Sequence, residues 1–152
     1  MFKNRTFWIG AYIRCAAVSL VTTGLIKLAS ATGSASILQS ADPVLYFNFR
    51  STLILAGIVE LGIGAICLIH KGTLLCSALI AWIATIFCAY RFCLMISGYH
   101  RPCPCLGNLT DAMKIPPYVA DATMKILLVY LLVGGYGLVI NRTYNKAKGR
   151  SI

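Results

Sequence analysis

Residues 52–96 read TLILAGIVELGIGAICLIH, KG, TLLCSALIAWIATIFCAYRFCLMI, so only Lys71 and Gly72 separate two long apolar runs. A helix needs about 20 apolar residues to cross a hydrocarbon core about 30 Å thick, and each run is about that long. A connection of two residues forces the helices that it joins to run antiparallel. This stretch therefore predicts a transmembrane hairpin.

Four apolar runs in the chain have the length of a membrane span. They lie at residues 7–28, 52–70, 73–96 and 119–140. Backbone that is exposed to lipid must satisfy its own hydrogen bonds, so each run is predicted to be a helix. We expect a single all-α domain over residues 1–152, in the form of an integral membrane four-helix bundle.

The composition favours the same class of protein. Hydrophobic residues make up 59% of the chain, against about 45–50% in soluble domains. Charged residues make up 12%, against about 25%, which leaves too few polar residues to cover a soluble enzyme. The net charge is +10, but the basic residues are spread along the chain rather than clustered, which argues against nucleic-acid binding. The predicted partner is the lipid bilayer.

The basic residues also predict the orientation in the membrane. The chain ends and the short turn carry seven of them: Lys3, Arg5, Lys71, Arg142, Lys146, Lys148 and Arg150. The long connections, 29–51 and 97–118, carry three: Arg50, Arg101 and Lys114. Because basic residues are enriched on the cytoplasmic side, we expect both termini and the tail 141–152 in the cytoplasm, and both long loops outside the inner membrane. A signal peptide cleaved near Ala29-Ser30-Ala31 is the competing interpretation of the first run.

Glu60 is the one carboxylic acid deep inside a predicted span. A charge at the bilayer centre costs about 2.5–3.5 kcal/mol on insertion scales, so Glu60 should face the bundle interior and have a partner. Gly57 and Gly64 share its helix face, and small residues there allow a neighbouring helix to approach closely. The sequence therefore predicts an interhelical contact around Glu60.

Three basic residues inside the spans are candidate partners: Arg14, Lys27 and Arg91. At 1.5 Å per residue, Arg14 is predicted within reach of Glu60, whereas Lys27 and Arg91 lie nearer the outer ends and can extend to the interface. Two interpretations stay open: the charges lock the bundle, or they serve proton or redox-substrate chemistry. Asp121 and Lys125, at i and i+4 in the fourth run, are expected to form a structural pair.

The seven cysteines fall into two groups. Five lie within the apolar runs, where cysteine usually serves as a small hydrophobic residue: Cys15, Cys67, Cys76, Cys88 and Cys93. The other two, Cys103 and Cys105, lie in the second long loop, within the stretch HRPCPCLG at residues 100–107. These two are the candidate catalytic residues.

Cys103 and Cys105 have the features of a redox-active pair. Two thiols with one residue between them close a small strained disulfide ring, and strain makes such a bond labile. The prolines on either side of Cys103 restrict the backbone. His100 and Arg101 bring positive charge that favours the reactive thiolate, so Cys103 is predicted to be the more reactive thiol. The alternatives are a metal site, for instance Cu(I) on the two thiolates, and a structural bond or free thiols.

Several motifs follow one another in a characteristic order. They are Arg14 with Gly24-Leu25-Ile26-Lys27, Asp42-Pro43, Glu60-Leu61-Gly62 and Cys103-Pro104-Cys105-Leu106-Gly107. Their order and spacing, over about residues 9–140, resemble the MauE branch of the DoxX-like membrane proteins, a four-helix group named after methylamine utilisation. Pro104 and Leu106 stand where that family commonly has Gly and Phe.

The resemblance implies a membrane factor for periplasmic disulfide chemistry, which matures a methylamine dehydrogenase subunit. On this hypothesis the Cys103–Cys105 pair exchanges electrons with a periplasmic thioredoxin-like or other cysteine-containing protein. The bundle passes the electrons to or from a membrane quinone. The alternative is a non-enzymatic membrane assembly factor whose loop docks a partner and whose cysteines are structural or metal-binding.

Overall fold

A computed structural model of the protein describes residues 2–33, 36–70, 72–98 and 116–148. Its elements are α1 (Phe2–Ala31), a short 3₁₀ helix (Ser36–Gln39), α2 (Phe49–Ile69), α3 (Thr73–Ile96) and α4 (Pro117–Lys148). Each of the four long helices contains a segment long and apolar enough to cross a membrane. The prediction of an all-α chain with four helices of membrane-spanning length is confirmed.

The helices extend beyond some of the predicted spans. The apolar segments are Phe7–Ala31, Phe49–Ile69, Thr73–Ile96 and Tyr118–Tyr144. The largest difference is at the end of α4, which continues to Lys148 although the sequence predicts a tail from residue 141. The reason is that no glycine or proline follows Gly137 until Gly149, so nothing in the local sequence ends the helix earlier.

The outer surface of the bundle is apolar. No more than a third of the residues in each span are buried inside the protein, and large side chains such as Trp82 and Val133 are exposed. An apolar surface of this extent is rare on soluble monomers. It fits a lipid bilayer, and the four helices indicate a multi-pass membrane protein.

The four helices associate as two antiparallel pairs. In the α1/α2 pair, Gly24 lies against Gly57, and Gly64 lies against Val21 and Ala17. A Cβ atom added to Gly24 would lie 2.9 Å from the carbonyl oxygen of Gly57, so the two backbones are close to contact. The α3/α4 pair is joined in the same way, with Gly135 against Ala81. Contacts between the two pairs are much sparser.

We name the two ends of the bundle by their connections. The hairpin end is where α2 meets α3, at Ile69 and Thr73, and the loop end is where α1 and α3 finish and α2 and α4 begin. The main apolar core joins both pairs in the hairpin half and includes Ala17, Leu20, Ile80, Ala84 and Leu131. Packing is looser in the loop half, and this difference creates the candidate site.

Candidate functional site

The centre of the site is an ion pair buried between α1 and α2. Lys27 Nζ lies 2.5 Å from Glu60 Oε1, and the two residues are 5% and 3% exposed. The Lys27 ammonium also lies over the ring of Phe87 on α3, 4.4 Å from its centroid, which adds a cation–π contact across the helix pairs. The structure thus places Glu60 on the glycine face of α2, with a cation as its neighbour.

The partner of Glu60 is Lys27, so the predicted reach of Arg14 is wrong. Arg14 is exposed and forms no salt bridge with a described residue. A Cβ atom added to Gly24 would lie 3.3 Å from Glu60 Cβ, so Glu60 lies opposite Gly24. Gly24 is about 4.5 Å along α1 from Lys27 and about 15 Å from Arg14. Side chains incline toward the N-terminus of their own helix. In an antiparallel pair, Lys27 and Glu60 therefore incline toward each other, whereas Arg14 and Glu60 diverge.

A second charge cluster joins α3 to α4. Arg91 Nη2 lies 3.0 Å from Asp121 Oδ1, close enough for an ion pair but not aligned as a hydrogen bond. Lys125 Nζ lies 2.7 Å from Asp121 Oδ2, which is the local pair that the i, i+4 spacing predicts. The interhelical contact of Asp121 with Arg91 differs from the prediction, in which the Arg91 side chain extends to the interface.

A cavity of about 320 Å³ lies between the two helix pairs in the loop half. Its volume falls at the lower end of the range of about 300–1,000 Å³ for small-molecule sites. All four helices contribute to a wall that is mostly apolar, with four aromatic side chains: Phe49, Trp82, Phe87 and Tyr90. Lys27, Glu60 and Arg91 supply its charged groups.

One side of the cavity reaches the outer surface of the bundle. Leu55 on α2 and Trp82 and Ile86 on α3 line the cavity, and each is also exposed on the outside. These residues face the lipid in a membrane. A lipid-soluble molecule therefore has a lateral route into the cavity between α2 and α3.

Hydrogen bonds to Asp42 hold the α1–α2 connection over the loop end. It is fully buried and accepts hydrogen bonds from the backbone N–H of Val44 and the hydroxyls of Thr52 and Tyr90. Leu45, three residues further on, lines the cavity, so this turn closes part of its loop-end side. The role of Asp42 was not predicted. The sequence feature that indicates it is an aspartate at a turn, because such a side chain commonly accepts hydrogen bonds from backbone N–H groups two or three residues further on.

The predicted redox pair lies outside the described residues. Cys103, Cys105, His100 and Arg101 all fall within 99–115, the segment that joins the loop ends of α3 and α4. The other five cysteines are free thiols. Cys67 and Cys76 are buried at the hairpin end, where Cys67 Sγ lies 3.9 Å from the Cys76 carbonyl oxygen, and Cys15, Cys88 and Cys93 are exposed.

No protein-family model matches the chain, and neither a curated protein nor a solved structure is significantly similar to it. The resemblance to MauE therefore stays a prediction from the motifs. Among the residues in 2–33, 36–70, 72–98 and 116–148, no group of three or more metal-ligating side chains is arranged to hold a metal ion.

Proposed function

We propose that the chain is a membrane thiol–disulfide redox protein that resembles MauE. The Cys103-Pro104-Cys105 pair exchanges disulfides with a cysteine-containing periplasmic partner, such as a thioredoxin-like protein or a methylamine dehydrogenase subunit. Disulfide formation or maturation of that partner is the outcome. Both termini lie in the cytoplasm and the cysteine loop lies outside the inner membrane.

The observation that carries this proposal is the placement of the intramembrane charges. Lys27, Glu60 and Arg91 line one cavity in the loop half of the bundle. The segment that contains Cys103 and Cys105 begins and ends at that same end, after Gly98 and before Pro116. Ionisable groups inside a membrane mark sites of chemistry by default. A dithiol that is oxidised releases protons and electrons, and the charged groups of this cavity lie in the half of the bundle from which that segment starts.

The test is a redox titration of the purified full-length chain against glutathione buffers. We expect a potential above about −300 mV, the value below which stable structural disulfides lie. Cys103→Ser should abolish exchange with a partner thiol, whereas Cys105→Ser should trap a mixed disulfide because the resolving thiol is missing. Cys88→Ser, an exposed thiol on α3, is the matched control and should change neither result.

A potential below about −300 mV, or full exchange by Cys103→Ser, would overturn the redox proposal and leave the assembly-factor alternative. Orientation is tested separately in a variant that keeps only Cys103 and Cys105. After reduction, a membrane-impermeant maleimide should label it in intact cells. Lys146→Cys in a second variant, which lacks all seven native cysteines, should react only after lysis, and the reverse pattern would overturn the orientation.

A further inference from the structure

Two residues that line the cavity each carry a buried polar atom that no described residue hydrogen-bonds, although one of these atoms lies 3.0 Å from Asp121 Oδ1. The two atoms are Glu60 Oε2 and Arg91 Nη2. Thr23 lies near the Glu60 carboxylate, but its hydroxyl donates to the Ser19 carbonyl oxygen at 3.0 Å. An unsatisfied buried polar group is unfavourable, so a ligand that provides an acceptor for Arg91 and a donor for Glu60 gains from both.

The charges around the cavity favour a neutral ligand. Lys27, Arg91 and Lys125 carry three positive charges and Glu60 and Asp121 two negative ones, so one positive charge remains. This excess attracts an electron-rich carbonyl oxygen. An ionised carboxylate or phosphate would also be attracted by the cations, but it would be repelled by the free oxygen of Glu60.

The apolar part of the cavity favours a flat ring. Phe49, Trp82, Phe87 and Tyr90 belong to its wall, and aromatic side chains pack well against planar rings. The exposed side between α2 and α3 allows an attached hydrocarbon chain to extend into the lipid. Glu60 Oε2 and Arg91 Nη2 are covered by neighbouring side chains, so a ligand reaches them after a side-chain rotation, which is common on binding.

The geometry points to this cavity as the binding site for the ring of a lipid-soluble quinone, held between Lys27, Arg91 and Glu60. The carbonyl oxygens of the quinone accept hydrogen bonds from the two cations, and a hydroxyl of the quinol donates one to Glu60. A phospholipid acyl chain satisfies none of these groups. The inference rests on the proposed function for the role of the quinone, but the binding itself does not involve the cysteines.

The redox step balances in atoms and electrons. Oxidation of the Cys103 and Cys105 thiols breaks two S–H bonds, forms one S–S bond and releases two electrons and two protons. Reduction of the quinone to the quinol takes up the same two electrons and two protons and forms two O–H bonds. The quinone is thus the oxidant that regenerates the disulfide after exchange with a partner protein.

Trp82 provides a direct measurement of binding. The chain has two tryptophans, and Trp8 lies far from the cavity, near the start of α1. In Trp8→Phe the remaining Trp82 lines the cavity. A benzoquinone with a short alkyl tail, titrated into this variant in lipid nanodiscs, should quench its fluorescence in a saturable way. Quenching that never saturates would overturn the site, since it indicates a quinone dissolved in the lipid.

A matched pair of variants tests the place of binding. Ala56 lines the cavity, so Ala56→Phe should fill it and weaken the apparent affinity about tenfold or more. Ala65 is exposed on the same helix and away from the cavity, and Ala65→Phe should leave the affinity unchanged. Equal affinities in the two variants would overturn the inference.

The double variant Lys27→Met/Glu60→Leu removes the polar groups without leaving a buried charge, and it should also weaken binding about tenfold. Unchanged affinity in this folded variant would overturn the assigned hydrogen bonds. Cys103→Ser/Cys105→Ser separates the two proposals and should bind the quinone as tightly as the parent. If that binding persists while the wild-type pair shows no disulfide exchange, the binding site stands and the proposed function fails.

Discussion

The α1/α2 and α3/α4 pairs each contain a salt bridge between helices, but the salt bridge of the α1/α2 pair is more deeply buried. The side chains of Lys27 and Glu60 are 7% and 3% exposed. Those of Arg91 and Asp121 are 20% and 18% exposed, and Lys125 gives Asp121 a second partner that is itself 63% exposed. If Arg91 is lost, Lys125 still pairs with Asp121, whereas no cation other than Lys27 lies within salt-bridge distance of Glu60 among the described residues.

The largest expected effect is therefore from breaking the buried pair. Glu60→Ala leaves the Lys27 ammonium buried without a counter-charge and should lower the free energy of unfolding by about 3–5 kcal/mol. Reversible unfolding in mixed detergent micelles measures it. The double variant Lys27→Met/Glu60→Leu removes both charges and should recover most of the loss.

Asp121→Ala is the matched change in the other pair. The side chains of Arg91 and Lys125 are 20% and 63% exposed and can extend toward the interface, so the loss should be about 1 kcal/mol or less. If Asp121→Ala cost as much as Glu60→Ala, the difference in burial between the two pairs would not govern their stability.

A second, smaller effect is expected where the helices of the α1/α2 pair touch. A Cβ atom on Gly57 would lie 3.0 Å from the Gly24 carbonyl oxygen and 3.0 Å from the Leu28 side chain. Gly57→Ala should force the helices apart and cost about 1–3 kcal/mol. Gly62 lies on the same helix with no atom within 4 Å of such a Cβ, so Gly62→Ala should be neutral or slightly stabilising.

The same unfolding assay compares these variants. Gly135→Ala sharpens the comparison, because its Cβ would lie 3.0 Å from the backbone of Ala81 in the other pair. We expect its cost to be similar to that of Gly57→Ala, which would show that the helices approach equally closely at the two glycines although the salt bridges differ in burial. A neutral Gly57→Ala would contradict the close approach of α1 and α2.

A further effect concerns a bond that links the two pairs. Tyr90 on α3 donates to Asp42 in the α1–α2 connection. Tyr90→Phe should cost about 1–2 kcal/mol, because Asp42 keeps its other donors. It should also speed amide hydrogen exchange at Val44 and Leu45, whose N–H groups bond to Asp42.

Tyr136→Phe is the control for Tyr90→Phe. Its hydroxyl lies 2.9 Å from that of Thr85, within the α3/α4 pair and at an exposed site. Exchange at Val44 and Leu45 should not change in this variant. Faster exchange in both variants would mean that the connection responds to general loosening rather than to its bond with α3.

The fold could be predicted because its signal is local. Each helix is an apolar run of sufficient length, and the order of long and short connections fixes which ends lie together. The ion pair was only partly predictable. Ile13, Ala17, Leu20, Gly24 and Lys27 follow helical spacing on the buried face of α1, and Arg14 does not. That spacing, taken with side-chain direction, would have favoured Lys27 as the partner of Glu60.

Other parts of the site had no local signal. Tyr90 and Asp42 are 48 residues apart, and their bond depends on how the α1–α2 connection folds back over α3. The contact of Arg91 with Asp121 likewise depends on which faces of α3 and α4 meet. The cavity arises because the two pairs pack closely at the hairpin end and loosely at the loop end, which is a property of the whole bundle and not of any segment.

The Lys27–Glu60 ion pair also has a consequence for membrane insertion during synthesis. Lys27 enters the bilayer first, and its counter-charge follows 33 residues later in the next helix. Arg91 and Asp121 repeat this order in α3 and α4. A charge at the bilayer centre costs about 2.5–3.5 kcal/mol on insertion scales, and a cation nearer a helix end, such as Lys27, costs less because it can extend to the interface. Because Lys27 and Arg91 each meet a counter-charge in the helix that follows, the insertion machinery receives two helix pairs that each contain an ion pair, rather than four separate spans.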